Sequence, residues 1–179
     1  KAVRRLGGDL SLVSRVEAKA VEIRPKPLDP KGLLGEALAR FQSAFQAKGV
    51  ALSLEAQDPL PQVWADEERV LQVLANLLTN ALRHTPQGGE VRLRAFRQGE
   101  AVAFQVADTG PGIPEDILPR IFEPRFTTKS GQVRFGMGIG MGVARSIVGK
   151  HHGTIRITSG PSGSTVTVEL PVRAPQEEE

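Results

Sequence analysis

The sequence predicts an α+β chain folded as an α/β sandwich, a mixed sheet with helices on one face, preceded by part of a helical bundle. Three observations lead there. Apolar residues recur at spacings of three and four in the long stretches and alternate in the short ones. Helical stretches come in pairs around hairpin-linked strands, not in strict βαβ alternation. With 179 residues, 40% hydrophobic and 24% charged, there is material for one medium domain with an appendage.

The appendage comes first. Val3, Leu6, Leu10, Val13, Val16 and Ala20 form a narrow apolar stripe over 1–23, the pattern of a helix that needs a partner helix to cover it. Pro25, Pro27 and Pro30 cannot be helix interior, so the expected organisation is a helix end at 1–24 and a linker at 25–30. The main domain then spans 31–172, with a disordered acidic tail at 173–179. The chain opens on Lys1 without a Met and reads as a piece of something longer.

Within the main domain, Asp29-Pro30 fits an N-cap followed by Pro at the first helical position. Leu33, Leu34, Ala37, Leu38, Phe41 and Phe45 supply that helix's core stripe, and Gly49 its stop. Val50, Leu52 and Leu54 alternate as a half-buried strand, and Pro59 and Pro61 break the chain. Asp66 caps the next helix, with Glu67 and Glu68 in its first turn, and that helix runs to about Arg83. Strands at Val91/Leu93/Ala95 and Val102/Phe104/Val106 join through Gln98-Gly99 as a hairpin. A loop at Asp108–Ile113 leads to a short helix over 115–122, then a polar, basic loop over 123–137. A helix from about Gly140 to His152 and strands at 154–159 and 164–170 complete the domain.

Bulk properties exclude several classes. The net charge of +3 is mild, the basic residues are interleaved with acids and only 4% of residues are aromatic, so nucleic acid is not an expected partner. There is no cysteine, which removes disulfides, zinc–thiolate sites and thiol catalysis. His84, His151 and His152 leave little for a histidine metal site. No apolar run approaches the ~20 residues of a membrane span, and no signal-peptide pattern opens the chain.

Four stretches carry chemistry. Asn76 and Asn80, the only asparagines, fall with Arg83 on a flank of the second helix beside its apolar arc, with His84 at the edge. The plain reading is a solvated flank. The alternative is a pair of carboxamide oxygens for a hard ion and a cation for phosphate, and Asn is a poor helix former. Asp108-Thr-Gly110-Pro-Gly112-Ile113 is either an acidic turn or a strand-end carboxylate for an exocyclic amine, with glycines admitting a flat base. Gly136-Met-Gly-Ile-Gly-Met-Gly142 matches neither a dinucleotide fingerprint nor a Walker loop. Leading into a helix, it is a flexible loop or an anion site at the helix N-terminus. Arg125, Lys129 and Arg134 are either solvated cations or a loop that closes on polyphosphate.

In this order, Asn76-x-x-x-Asn80, Asp108-x-Gly-x-Gly112, Phe122-Glu-Pro-Arg-Phe-Thr-Thr-Lys129 and Gly136-x-Gly-x-Gly140 resemble the N, G1, F and G2 boxes of sensor histidine kinases. The resemblance covers 29–172, the whole catalytic ATP-binding domain, and 1–24 resembles the end of the dimerisation and phosphoacceptor helix. It implies a Bergerat fold of the GHKL superfamily with ATP and Mg²⁺ as cofactors. By that resemblance Asn80 binds Mg²⁺ with Asn76 nearby, Arg83 faces the phosphates, and His84 lies near the nucleotide. Asp108 receives the adenine amine in a pocket shaped by Gly110, Gly112 and Ile113. Gly136, Met137, Gly138, Ile139, Gly140 and Met141 line the phosphate side, Lys129 reaches the terminal phosphates, and Thr165 lies on the strand beside Asp108. Asn76, Asn80 and Lys129 form the implied catalytic set. Arg125 stands where an aromatic residue is common in the F box, and Met137 and Met141 replace the usual Thr and Leu of G2.

The implied activity is transfer of the γ-phosphoryl of ATP to a histidine, with relay to an aspartate of a response regulator. No His followed by an acidic residue and Arg-Thr-Pro occurs, so the acceptor lies elsewhere, on a helix of this or a partner subunit. The implied full-length form is a homodimer whose catalytic domain is cytoplasmic, with membrane anchoring left open. A GHKL ATPase is a rival, but those relatives carry a Glu where Asn76 stands, and a carboxamide is no general base. An anti-sigma-type binding module is the second rival.

Overall fold

The computed structural model describes residues 22–122, 125–127, 133–135 and 140–174, the two triplets and Gly140 as backbone only. The elements are β1 (Lys26–Leu28), α1 (Pro30–Lys48), β2 (Ala51–Ala56), β3 (Val63–Ala65), α2 (Glu67–His84), β4 (Glu90–Gln98) and β5 (Ala101–Asp108). A 3-10 turn at Leu118–Arg120 follows, then β6 (Arg125–Thr127), β7 (Val133–Phe135), α3 (Gly140–Lys150), β8 (Thr154–Gly160) and β9 (Gly163–Pro171).

Five strands form the main sheet in the order β2-β4-β5-β9-β8. The β2–β4 pair is parallel and the other three pairs are antiparallel, so the sheet is mixed as the pattern predicts. Alternation along each strand sends Val91, Leu93, Val102, Phe104, Val106, Ile155, Ile157, Val166, Val168 and Leu170 to one buried face. The helices cover that face, α1 over β2 and β4, α2 over β5 and α3 over β8. The opposite face carries Glu55–Arg94 and Arg156–Glu169 ion pairs and a Gln105–Thr167 hydrogen bond. It is a polar surface, and among the described residues helices lie on one face only.

Both long helices start where their caps place them. Asp29 accepts from the Lys31 N–H ahead of α1, and Gly49 ends it at φ +78°. Asp66 accepts from the Arg69 N–H at 3.2 Å ahead of α2. Asp66 also accepts from Arg24 N–H at 2.7 Å, which ties down the chain entering the domain.

The end of α3 is pinned to the start of α2. His151 is buried, its Nε2 accepts from Asp66 N–H at 3.0 Å, and its Nδ1 lies 2.8 Å from the Ile147 carbonyl. A backbone amide can only donate and a carbonyl can only accept, so the ring is neutral with its proton on Nδ1. Val70, Val73, Ile147 and Val148 close around it on a small apolar cavity, so α2 and α3 run antiparallel. At about 1.5 Å rise per residue, the N-terminus of α3 comes level with the stretch of α2 around Leu77, between Asn76 and Asn80.

Three expectations need correction. The proline-rich stretch expected as linker contains β1, which pairs antiparallel with β3 and buries Leu28. Prolines are tolerated there because a two-stranded ribbon is all edge. The helix expected over 115–122 is a turn and a single 3-10 turn, since Pro119 lacks the N–H an α-helix would need. The basic loop expected over 123–137 contains the β6–β7 hairpin, with Phe126 opposite Arg134. The expected N-terminal helix falls almost wholly on residues 1–21, and most of the expected tail on 175–179, both outside the described residues. Among the described residues, no helix is long and apolar enough to cross a membrane.

Candidate nucleotide site

The C-terminal half of α2 supplies the first wall. Asn80 is not on a solvated flank: it is 3% exposed, on a helix that packs against α3. Its Nδ2 is buried without a hydrogen-bond partner among the described residues, as is Thr85 Oγ1 just past the helix end. A buried unpaired amide is costly, of order 1–3 kcal/mol, and such groups gather where a ligand is received. Asn76 is half-buried one turn earlier, while Arg83 and His84 are exposed at the last turn. Lys48 from the end of α1 donates to the Leu82 and Arg83 carbonyls at 2.6 and 3.3 Å, closing the helix end with a cation. Although the residue is exposed overall, partial desolvation of its ring holds His84 below the ordinary imidazole value, helped by Arg83 and Lys48 and opposed by the Asp108 carboxylate. His84, Arg83, Lys48 and Asp108 therefore share one electrostatic neighbourhood.

Asp108 ends β5 and supplies the second wall. Its Oδ1 accepts from Gly110 N–H at 2.9 Å and, more loosely, from Ser164 N–H at 3.3 Å. Those bonds fix the carboxylate orientation from its own loop and from β9. Gly110 sits against the end of α2, where a Cβ would come within 2.6 Å of the His84 carbonyl. Only glycine allows this approach, and it joins the Asn-bearing helix to the Asp-bearing loop. Gly112 has φ +81°, and a Cβ there would lie 2.1 Å from the Gly160 carbonyl oxygen. The loop is thereby seated on the β8–β9 turn, with Ile113 N–H donating to Ser159 Oγ at 2.7 Å.

Thr165 lies on β9, the strand beside Asp108, one residue from the position opposite it. Thr165 pairs with Ala107, and Ser164 pairs with Asp108. Partners across a sheet share a face and successive residues alternate, so Thr165 points to the polar face, away from Asp108. Ser164 is the neighbour the sequence reading missed. Met141 is fully buried in the core at the first turn of α3. Gly140 opens α3 as expected. Lys129, Gly136, Met137, Gly138 and Ile139 lie outside the described residues.

Residues missed by sequence reasoning are Ser159, Ser164 and Gly163. Gly163, at φ +141°, presses on the Asp108 carbonyl so closely that no Cβ fits. The only sequence signal was the Gly-Pro-Ser-Gly turn, which says nothing about which strand end it meets.

A carboxylate at a strand end, glycines against it and a buried carboxamide on the adjoining helix are now together on one end of the sheet. Residues 65–174 match the family model described as histidine kinase-, DNA gyrase B-, and HSP90-like ATPase. The chain belongs to that family. Within it, the chain is similar to sensor histidine kinases. It is 36% identical over 174 residues to the adaptive-response sensory kinase SasA of Microcystis aeruginosa, covering 96% of this chain and 45% of that protein. It is 37% identical over 165 residues to the alginate biosynthesis sensor protein KinB of Pseudomonas aeruginosa, covering 92% and 27%. The chain thus spans less than half the length of either relative. Among solved structures, the nucleotide-free catalytic domain of histidine kinase ThkA superposes with a TM-score of 0.73 at 28% identity, covering 83% of this chain and 98% of that one. Full-length ShkA in complex with AMPPNP gives 0.74 at 30% identity, covering 90% and 35%. The fold is that of the histidine kinase catalytic, ATP-binding domain, as the four boxes imply.

Proposed function

We propose that this domain holds ATP·Mg²⁺ and presents the γ-phosphoryl to a histidine on a phosphoacceptor helix of its own or a partner subunit. The γ-phosphorus would leave the bridging oxygen of ADP and bond to an imidazole nitrogen, and a response-regulator aspartate would then take it. Positioning and charge neutralisation are the protein's share of such chemistry.

The observation that carries this reading is the buried Asn80, whose Nδ2 has no hydrogen-bond partner among the described residues, beside a helix end seated on the Asp108 loop. Among the described residues no group of three His, Asp or Glu side chains could hold a metal. Mg²⁺ suits that poverty, because it keeps waters and takes most of its protein-side charge from substrate phosphates. The donor set fits: Asn80 would hold the ion with Asn76 one turn away, and the ion would neutralise the phosphate oxygens. Arg83 and His84 face the same end, and Asp108 Oδ2 is left to accept the adenine amine while Oδ1 is held by backbone N–H groups. Lys129 and the glycines from Gly136 to Gly140 are proposed for the phosphate side on the family pattern alone. A dimerisation-helix end over 1–24, a catalytic domain that takes in β1 and runs to about residue 172, an acidic tail over 173–179, a homodimeric full-length form and a cytoplasmic location of this domain belong to the same proposal.

Asn76 argues for transfer rather than hydrolysis, since no general base stands at that position to activate water. Calorimetry tests the reading. The chain should bind ADP in a Mg²⁺-dependent manner, and Asp108→Asn should weaken ADP by about tenfold or more, because an amide that donates replaces a carboxylate that accepts. No binding at millimolar nucleotide, or unchanged affinity in the variant, would remove it. A longer chain with the acceptor helix should yield acid-labile phosphoprotein from labelled ATP.

A further inference from the structure

The β8–β9 turn does more than connect two strands. It lies under the Asp108 loop and touches it at four places. Gly112 rests on the Gly160 carbonyl and Gly163 on the Asp108 carbonyl. Ile113 N–H donates to Ser159 Oγ at 2.7 Å, and Ser164 N–H reaches Asp108 Oδ1 at 3.3 Å. The two serines are themselves joined, Oγ to Oγ, at 2.8 Å.

We infer that Ser159 is a positioning residue for base recognition, acting on Asp108 from below without touching the nucleotide. This rests on the reading of Asp108 as the adenine acceptor. Ser159 Oγ can donate one proton and accept another hydrogen bond. It accepts from Ile113 N–H and shares with Ser164 Oγ a hydrogen bond in which either hydroxyl can be the donor. The outcome is a continuous tie from the far side of the Gly110–Gly112 loop, through both hydroxyls, to the strand position opposite Asp108. The Ser164 N–H at 3.3 Å is a long bond, and its geometry depends on where the turn holds Ser164. Removing Ser159 Oγ leaves the Ile113 amide and the Ser164 hydroxyl to find other partners, and frees the loop on the side where glycine contacts alone remain. Discrimination between bases is sensitive to such a change, because it depends on a carboxylate held to within a fraction of an ångström.

The ligands that expose this role are ADP and inosine diphosphate, which share ribose and phosphates and differ in the exocyclic amine that Asp108 would read. The experiment measures both dissociation constants, with Mg²⁺, for the wild-type chain and for Ser159→Ala and Ser159→Thr. Ser159→Ala should weaken ADP about tenfold, equal to about 1.4 kcal/mol, with inosine diphosphate nearly unchanged. The preference for adenine then collapses while phosphate binding persists. Ser159→Thr keeps the hydroxyl and should retain the preference. A Ser159→Ala chain that keeps the wild-type ratio, whether or not its melting temperature falls, overturns the proposal and leaves Ser159 a structural residue. A wild-type chain with no preference between the two nucleotides removes the Asp108 reading itself, an outcome distinct from the first.

Discussion

His84 is the titratable side chain with the clearest consequence. Burial beside Arg83 and Lys48 disfavours its protonated form, and the Asp108 carboxylate only partly offsets them. Its folded value is below the unfolded one of about 6.5. Between the two, the unfolded chain binds more protons, so the contribution to stability is complete above about pH 6.5 and is lost as pH falls through the folded value. The side chain is exposed, so the effect is screened and modest. His84→Gln should therefore flatten part of the fall in melting temperature as pH drops below about 6.5. A scan of melting temperature against pH for both chains decides it, and identical slopes would show that other groups set the acid limb. The neighbouring residues also show what sequence can give at this scale. Asn76, Asn80 and Asp108 were legible because their side chains conflict with their local setting, a carboxamide in a helix and an acid at a strand end. Ser164 was not, because choosing it over Thr165 requires the register, and a one-residue slip turns every side chain to the other face.

Elements were legible where their ends carry chemistry. Asp29 with Pro30, Asp66 with two glutamates, and Gly49 each perform the capping task that their type predicts. Elements without such punctuation were misread. The stretch 115–122 has apolar residues at helical spacing, but Pro119 within it permits only a 3-10 turn. The strand at Lys26–Leu28 has no alternation of its own and exists because β3 offers a partner, a tertiary cause invisible along the chain. One helix keeps a residue that its packing does not require. Gly35 lies within α1, and a Cβ there would meet nothing within 4 Å. The helical backbone is compatible with alanine, so Gly35→Ala should stabilise the domain by about 0.5–1 kcal/mol through reduced freedom of the unfolded chain. Urea unfolding should show a higher midpoint at unchanged slope, and a lower midpoint would mean that this face of α1 is already covered.

At the scale of the molecule, the proposed site has two halves held by different parts of the fold. The proposed adenine half would stand on β5, β8, β9 and the Asp108 loop, all bonded through the sheet and its turn. The proposed phosphate half would stand between α2 and the start of α3, two helices pinned together at the far end by His151 between Asp66 and Ile147. None of this coupling was legible in the sequence, where His151 reads as one of two adjacent histidines at a helix end. His151→Ala should act on the halves unequally. It leaves the part-buried Asp66 amide without its partner, takes from the Ile147 carbonyl one of its two donors, the backbone N–H of residue 151 remaining, and opens a cavity, so stability should fall by about 2–4 kcal/mol. In the chain that remains folded, α3 is free to slide along α2, so the Mg²⁺-dependent part of ADP binding should weaken severalfold. Adenosine, which lacks phosphates and needs only the sheet-borne half, should compete for the site with wild-type affinity. Calorimetry well below the melting temperature separates the two. Equal losses for ADP and adenosine would mean that α3 supports the whole site, and no loss for either would mean that the far-end pin does not set the level of Asn80 against Gly140.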